Sequence, residues 1–467
     1  MKRSSQLKTG IAAVVAAVAL LPSAAWAAGG LTLREAMAEA LRGSDLLRAA
    51  AGRRAAAESA VDVARSYLLP GVTLEERFLR TDNPAYDFSM KINQGTFTAA
   101  DLQGAPGSFN DPDPISDFQT SLTVTQPLFA RRATLGVAMA RGEAAAAGLD
   151  HQRRREEVAH DALRAWLGSK AAEAYVEAAD KAEEDAAEHL RLAQVAEDAG
   201  VGLASDRLRA AVALSEAKRM RLEVRNNLEI ARRGLGLALG LETAVIPTEN
   251  DLGATVPPLD ELLDAAGTRA DLLAMDKRVE NAGRAVELAG AQRLPEVGAF
   301  GSLQANDPDL PLGTAGTSYS VGVGVTWKIF SGGHTAAAER QAKAERDRAA
   351  SLLAAMGKEA RYRVREAWLR WGESRESLRI AEEARSAAEE GVRLVRVRYE
   401  NGLATMVALL DAQAALNRSR SDTARAAAEV ASALGELKFR SGLLLDGSET
   451  ASLGGTQKTI AVAGARR

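Results

Sequence analysis

The chain of 467 residues contains no cysteine. Disulfides, thiolate metal sites and thiol nucleophiles are therefore excluded, as is a lipid carried on a cysteine after an export signal. Aromatic residues make up only 4%, too few for a bulky globular core. No internal stretch is apolar for long enough to span a bilayer as a helix, and mean hydropathy is −0.15. A net charge of −3 leaves no basic footprint for nucleic acid. The four histidines, His151, His160, His189 and His334, form no HExxH motif. Glu156 and His160 stand i, i+4 on a helix and could touch a metal, but "RRREEVAHD" reads more simply as a solvated charged face. No phosphate loop or dinucleotide fingerprint occurs, and "VGVGV" lacks the spacing for one. The chain is expected to be no enzyme and to need neither metal nor cofactor.

Proline is absent from residues 128–246 and 312–467. Proline in a helix interior costs about 3 kcal/mol, so both stretches permit long helices. The 26% of charged residues together with abundant Ala fits long-helix or coiled-coil composition. The two stretches also carry one pattern twice. "TQPLFARRATLGVAMARGEAAAAG" (125–148) aligns with "TWKIFSGGHTAAAERQAKAERDRA" (326–349). Phe129 answers Phe330, Trp166 answers Trp368, and "VGLAS" (201–205) answers "NGLAT" (401–405). Such a repeat means one structural unit used twice.

Each unit reads as strand, very long helix, Gly turn and returning helix. Gly200, Gly202 and Gly402 supply the turn conformations, and Ser205 and Thr405 are the cap candidates for the returning helices. In the second returning helix Leu403, Val407, Leu410, Ala414 and Asn417 step by four and three, a coiled-coil seam.

Other segments alternate. In "DFQTSLTVTQ" Phe118, Leu122 and Val124 share one face, and Gln119, Ser121, Thr123 and Thr125 the other. In "YSVGVGVTW" Tyr319, Val321, Val323, Val325 and Trp327 share one face, and Ser320, Gly322, Gly324 and Thr326 the other. This is the signature of transmembrane β-strands. "GVTLEERFLR" and "PEVGAFGSLQ" are weaker partners, and Glu76 interrupts the apolar face of the first. The intervening residues 81–116 and 306–318 are polar loops of the kind that face outside the cell. A barrel in lipid must close, and single-chain barrels begin at about eight strands. Four strands therefore require several chains: two would give a plugged barrel, three a passage, which Gly322 and Gly324 on the inner face would keep clear.

The expected organisation is a secretory signal at 1–27, with basic Lys2, Arg3 and Lys8 and the Ala25-Trp26-Ala27 cleavage site. Repeat 1 covers 31–241, with strands at about 71–80 and 117–127 and helices at about 131–199 and 203–240. A linker at 242–257 precedes repeat 2 at 258–445, with strands at about 296–305 and 319–329 and helices at about 334–400 and 403–440. Residues 446–467 are expected to be a flexible tail.

With these features the chain resembles the TolC family of outer-membrane efflux ducts. "LTLREAMAEALRGSDLLRAA" followed by "ARSYLLPGVTL" matches the family's opening, and residues 398–437 are the most specific stretch. The resemblance implies an α+β membrane protein: long antiparallel helical hairpins forming a coiled-coil α-barrel, and four transmembrane strands per chain in a shared trimeric twelve-strand β-barrel in outer-membrane lipid. It implies a homotrimer that docks a periplasmic adaptor and, through it, an inner-membrane pump of the RND or ABC type. Val201, Gly202, Leu203, Gly402 and Leu403 match the adaptor-docking tip. Tyr399 and Asp411 match the periplasmic gate, while Ala408 stands where relatives carry a second acidic ring. The competing readings are a coiled-coil scaffold without a channel and the adaptor itself. The lipid-facing stripe speaks against the first, and two in-register hairpins against the second.

Overall fold

The structure is a computed structural model and describes residues 30–103, 110–249, 253 and 255–445. The expected signal at 1–27 and tail at 446–467 lie outside these residues. The chain order is α1 (Leu33–Gly43), α2 (Asp45–Ser66), β1 (Gly71–Thr81), α3 (Pro84–Asn93), β2 (Ile115–Phe129), α4 (Arg131–Asp198), α5 (Ala204–Ala238), α6 (Leu259–Gly267), α7 (Ala270–Gly290), β3 (Glu296–Asp307), β4 (Gly316–Thr326), α8 (His334–Glu400) and α9 (Met406–Ser441). The 68 residues of α4 make a rod about 100 Å long at 1.5 Å per residue. No helix among the described residues is long and apolar enough to cross a membrane. The chain divides into two compact units. Among the described residues, one holds the sheet with residues 43–161, 255–379 and 429–445; the other holds residues 30–42, 162–254 and 380–428.

In the first unit the four strands form one antiparallel sheet in the order β1-β2-β3-β4. The pairings Leu74↔Leu122, Leu122↔Leu303 and Leu303↔Tyr319 fix a common face. On that face Val72, Leu74, Phe78, Leu303, Tyr319, Val321, Val323 and Val325 are all exposed. Glu76 shares it and accepts a hydrogen bond from Thr120 Oγ1 at 2.5 Å. The opposite face carries Thr73, Thr123, Ser302 and Ser320. β2 bulges between Pro127 and Phe129, where proline has no N–H to give the ladder.

Several expectations need correction. β4 stops at Thr326 rather than about 329, because Trp327 turns its indole N–H to the Arg293 carbonyl at 2.9 Å. Residues 81–116 are not simply a loop: Asn83 caps α3, with Pro84 in its first turn. Gly322 does not clear the inner face, because a Cβ there would lie 2.7 Å from the Phe300 ring. It makes room for that ring, whereas Gly324 faces open space.

"RRREEVAHD" is not a solvated face either. Arg153, Glu156 and His160 are all buried. Arg153 pairs with Glu156 at 2.6 Å and lies over the Phe439 ring at 4.2 Å. His160 stacks on the same ring with centroids 4.1 Å apart, and its Nε2 is 2.9 Å from Glu436 Oε2. Among the described residues no group of side chains is arranged to hold a metal. The hydrogen bond from His160, followed by that from Arg440, holds the Glu436 carboxyl down at about 2. A carboxyl depressed in the fold stabilises above its ordinary value near 4.5 and loses that contribution as pH falls toward 2. Burial pushes Glu156 the other way, so the Glu436 contribution is read as a difference. Wild type is expected to lose thermal stability between pH 4.5 and 2 relative to Glu436→Gln. Parallel melting curves across that window would refute the assignment.

In the second unit Trp166 is wholly buried, and its indole N–H donates to the Leu31 carbonyl at 3.0 Å. The same carbonyl accepts from Thr248 N at 2.8 Å, and Leu31 pairs with Pro247. The segment following α5 is thus tied to Leu31, just ahead of α1. The deepest seam of α9 is Met406, Leu409, Gln413 and Leu416, one residue away from the expected Val407, Leu410, Ala414 and Asn417. Those four instead line an open groove of about 1350 Å³ between α4, α5 and α9.

Candidate functional site

Each long helix ends in a five-residue reversal, at 199–203 and 401–405. In the first, Val201 N and Gly202 N both donate to the Ala196 carbonyl, at 3.0 and 2.8 Å. In the second, Leu403 N donates to the Arg398 carbonyl at 2.7 Å and Gly402 N to Tyr399 at 2.9 Å. These bonds satisfy the carbonyls left over at a helix end. The left-handed positions are Gly200 at φ 73° and Gly402 at φ 71°. Gly202 serves a different purpose: a Cβ there would meet the Ala196 backbone at 2.8 Å.

The structural equivalences therefore run Gly200 to Gly402, Val201 to Leu403 and Leu203 to Thr405. They differ by two residues from the motif alignment. The shift accounts for the caps. Thr405 receives Ala408 N on its Oγ1 at 3.2 Å, as expected. Ser205, however, lies inside α5, and Leu203 occupies the cap position without a side-chain bond.

The tips are apolar and open. Val201 is 85% exposed, Leu403 70% and Leu203 65%, so three of the five expected tip residues present unpartnered side chains. Arg207 and Glu197 pair at 2.7 Å across the first turn. Behind the tips Ala193, Ala210, Met406 and Leu409 form a core that Leu190, Val395, Tyr399 and Leu410 complete. This core joins α4, α5, α8 and α9.

The two expected gate residues are not brought together. Tyr399 packs into the core behind the tips, and burial, with a contribution from Asp206, raises its phenol above the ordinary value. Asp411 is exposed on the wall of the open groove. Nearby is a polar link that the sequence did not reveal. His189 is fully buried in α4, with Nε2 3.1 Å from Gln413 Oε1 in α9. Gln413 donates to Asp185 Oδ2 at 2.8 Å, and Arg420 donates to the same oxygen at 2.7 Å. Burial pushes His189 down toward the neutral form, against the opposing effect of Gln413. Its only signal in the sequence was a histidine in an Ala-rich helix, a pattern that a solvated helix face produces equally well.

A sheet whose two faces are apolar and polar, with helical hairpins ending in apolar turns, fits a channel protein of the outer membrane. The chain belongs to the outer membrane efflux protein family, whose model matches residues 36–241 and 262–443. The alkaline protease secretion protein AprF of Pseudomonas aeruginosa is 23% identical over 356 residues, covering 72% of each chain. Among solved structures, the outer-membrane channel OprN superposes with a TM-score of 0.74 at 22% identity, over 88% of this chain and 89% of that one. The outer membrane protein VceC of Vibrio cholerae gives 0.74 at 18% identity, over 88% and 96%. The protein is an export channel of the outer membrane with a periplasmic tunnel. It is a passive transporter rather than an enzyme.

Proposed function

We propose that three copies of the chain close one twelve-strand barrel and one periplasmic tunnel, and that the tunnel docks a periplasmic adaptor linked to an inner-membrane pump of the RND or ABC type. The observation that carries this reading is the four-strand sheet with an apolar face and two unpaired edges, β1 and β4. Open edges are not tolerated in hydrocarbon, so neighbouring copies must pair them. Three fours give the smallest barrel with a passage. The detergent-purified protein in a planar bilayer should give discrete conductance steps. Failure to insert would overturn the barrel and favour a scaffold.

In a trimer Asp411 recurs three times around the axis, and a ring of carboxylates favours cations. Asp411→Asn should lower the cation-to-anion permeability ratio by about two-fold. An unchanged ratio would remove Asp411 from the entrance.

Val201, Gly202, Leu203, Gly402 and Leu403 form the docking tip in this reading, supported by the exposure of their apolar members. Burying one such side chain is worth about 1.5–3 kcal/mol. Val201→Asp and Leu403→Asp should each reduce export from living cells roughly ten-fold or more, with the amount of protein in the outer membrane unchanged. Export at the wild-type rate would clear these residues of docking.

A further inference from the structure

We propose that α3 forms a collar inside the outer mouth of the duct, where Phe88 and Ile92 set the size of what passes. The inference rests on the barrel reading above, in which the polar face of the sheet lines the passage.

The position of α3 follows from what it touches. Asp117 of β2 and Asn306 of β3 lie on the polar face, in line with Gln119, Ser121 and Thr123 and with Ser302 and Gln304. Both stand near the loop ends of their strands, yet each is only 3% exposed. Gln94, just past the end of α3, donates through Nε2 to Asp117 Oδ1 and to the Ser116 carbonyl, both at 2.8 Å. Asn306 Nδ2 donates to the other Asp117 oxygen at 2.7 Å. The carboxylate is thus held between the helix end and β3. Asp87 and Met90 are buried on the same side of α3, at the i, i+3 and i+7 spacing that makes one helix face. The contact with β4 is closer still, since a Cβ at Gly316 would run into the Asn93 carbonyl oxygen. Lys91 pairs with Asp87 at 3.0 Å and with Asp101 at 3.7 Å, tying the helix to the segment that follows it.

With that side of α3 committed to the sheet, the opposite side carries Phe88 and Ile92, an i, i+4 pair exposed by 43% and 50%. Phe88 meets Phe97 edge-on with ring centroids 5.1 Å apart. In a barrel whose polar face is inside, a direction away from the sheet is a direction toward the axis. Three copies would place these side chains around one opening, a hydrophobic constriction of the kind that excludes bulky polar solutes and resists wetting.

The chain has no cysteine, so one introduced thiol is a clean probe. Thr123→Cys lies on the polar face, six residues along β2 from Asp117, about 20 Å deeper. In intact cells a small charged methanethiosulfonate should label it, whereas a maleimide carried on a bulky polyethylene glycol should not. Adding Phe88→Ser and Ile92→Ser should speed the bulky reagent roughly ten-fold or more. Gln94→Ala should act in the same direction by loosening the clamp. Equal labelling by the bulky reagent with and without these substitutions would overturn the collar. No labelling by the small reagent in any background would instead overturn the barrel reading, and the collar with it. Val323→Cys on the apolar face should stay unlabelled throughout.

Discussion

Val323→Arg is expected to abolish recovery of the assembled protein from the outer membrane. Val323 lies mid-strand in β4 opposite Ala299 and is 65% exposed on the apolar face. An arginine on the lipid side of a barrel costs about 2–4 kcal/mol near the midplane. If three copies share one barrel the cost triples, to about 6–12 kcal/mol, as large as the whole stability of an ordinary domain. Ser320→Arg supplies the control, three residues away on the polar face. It should assemble and alter only conductance. Fractionated membranes probed for heat-modifiable protein distinguish the two. Equal loss for both substitutions would remove the assignment of the faces, and loss for Ser320→Arg alone would invert it.

Trp166→Ala should be the most damaging single truncation in the helical region. Trp166 is fully buried, and removing a buried tryptophan costs about 3–5 kcal/mol. The Leu31 carbonyl would also lose one of its two donors, about 1 kcal/mol more. Its repeat partner Trp368 is only partly buried, against a cluster that includes Leu262, Val364 and Leu437. Trp368→Ala is therefore expected to cost clearly less. Denaturant midpoints of the detergent-solubilised variants would show the difference, and Trp166→Ala should expose the chain around residues 245–248 to protease. Equal midpoints would mean that the anchorage of Leu31 adds nothing.

The features legible in the sequence were those with long-range regularity. Two proline-free stretches became α4 and α8, and alternating Val and Gly around 321–325 became β4. What was missed depended on single contacts. The sequence could show that Gly322 alternates with valines, but not that Phe300 on the neighbouring strand fills the space above it. Arg153, Glu156 and His160 look solvated because charge usually is. Phe439, far away in the chain, supplies the ring that buries them. The α9 seam was displaced by one residue because Ala-rich helices offer two apolar stripes of equal spacing, and only the packing partners choose between them. The polar residues at 81–116 read as a loop and concealed α3, a helix of ten residues capped by Asn83.

At the candidate site the glycines and the exposed apolar residues were readable as a turn. Their equivalence between repeats was not. "VGLAS" and "NGLAT" align by letters, whereas the backbone aligns by the left-handed glycine. Tyr399 and Asp411 were matched by motif, and a motif carries no information about which side chain the neighbouring helices bury.

The left-handed glycines of the two turns, Gly200 and Gly402, stand 202 residues apart, and α4 and α8 run for 68 and 67 residues. Their hairpins close on a common core of Ala193, Ala210, Met406 and Leu409. One residue inserted into either rod would turn everything beyond it by about 100° and advance it about 1.5 Å, carrying one hairpin's face away from the other's. Changes in length are therefore constrained to occur as twins: a matched insertion in each half, in steps of about seven residues so that the faces return to register. A lineage that lengthened its tunnel would have had to acquire both halves of the change before either was useful. The duplication that built the chain thus also limits how its descendants can grow.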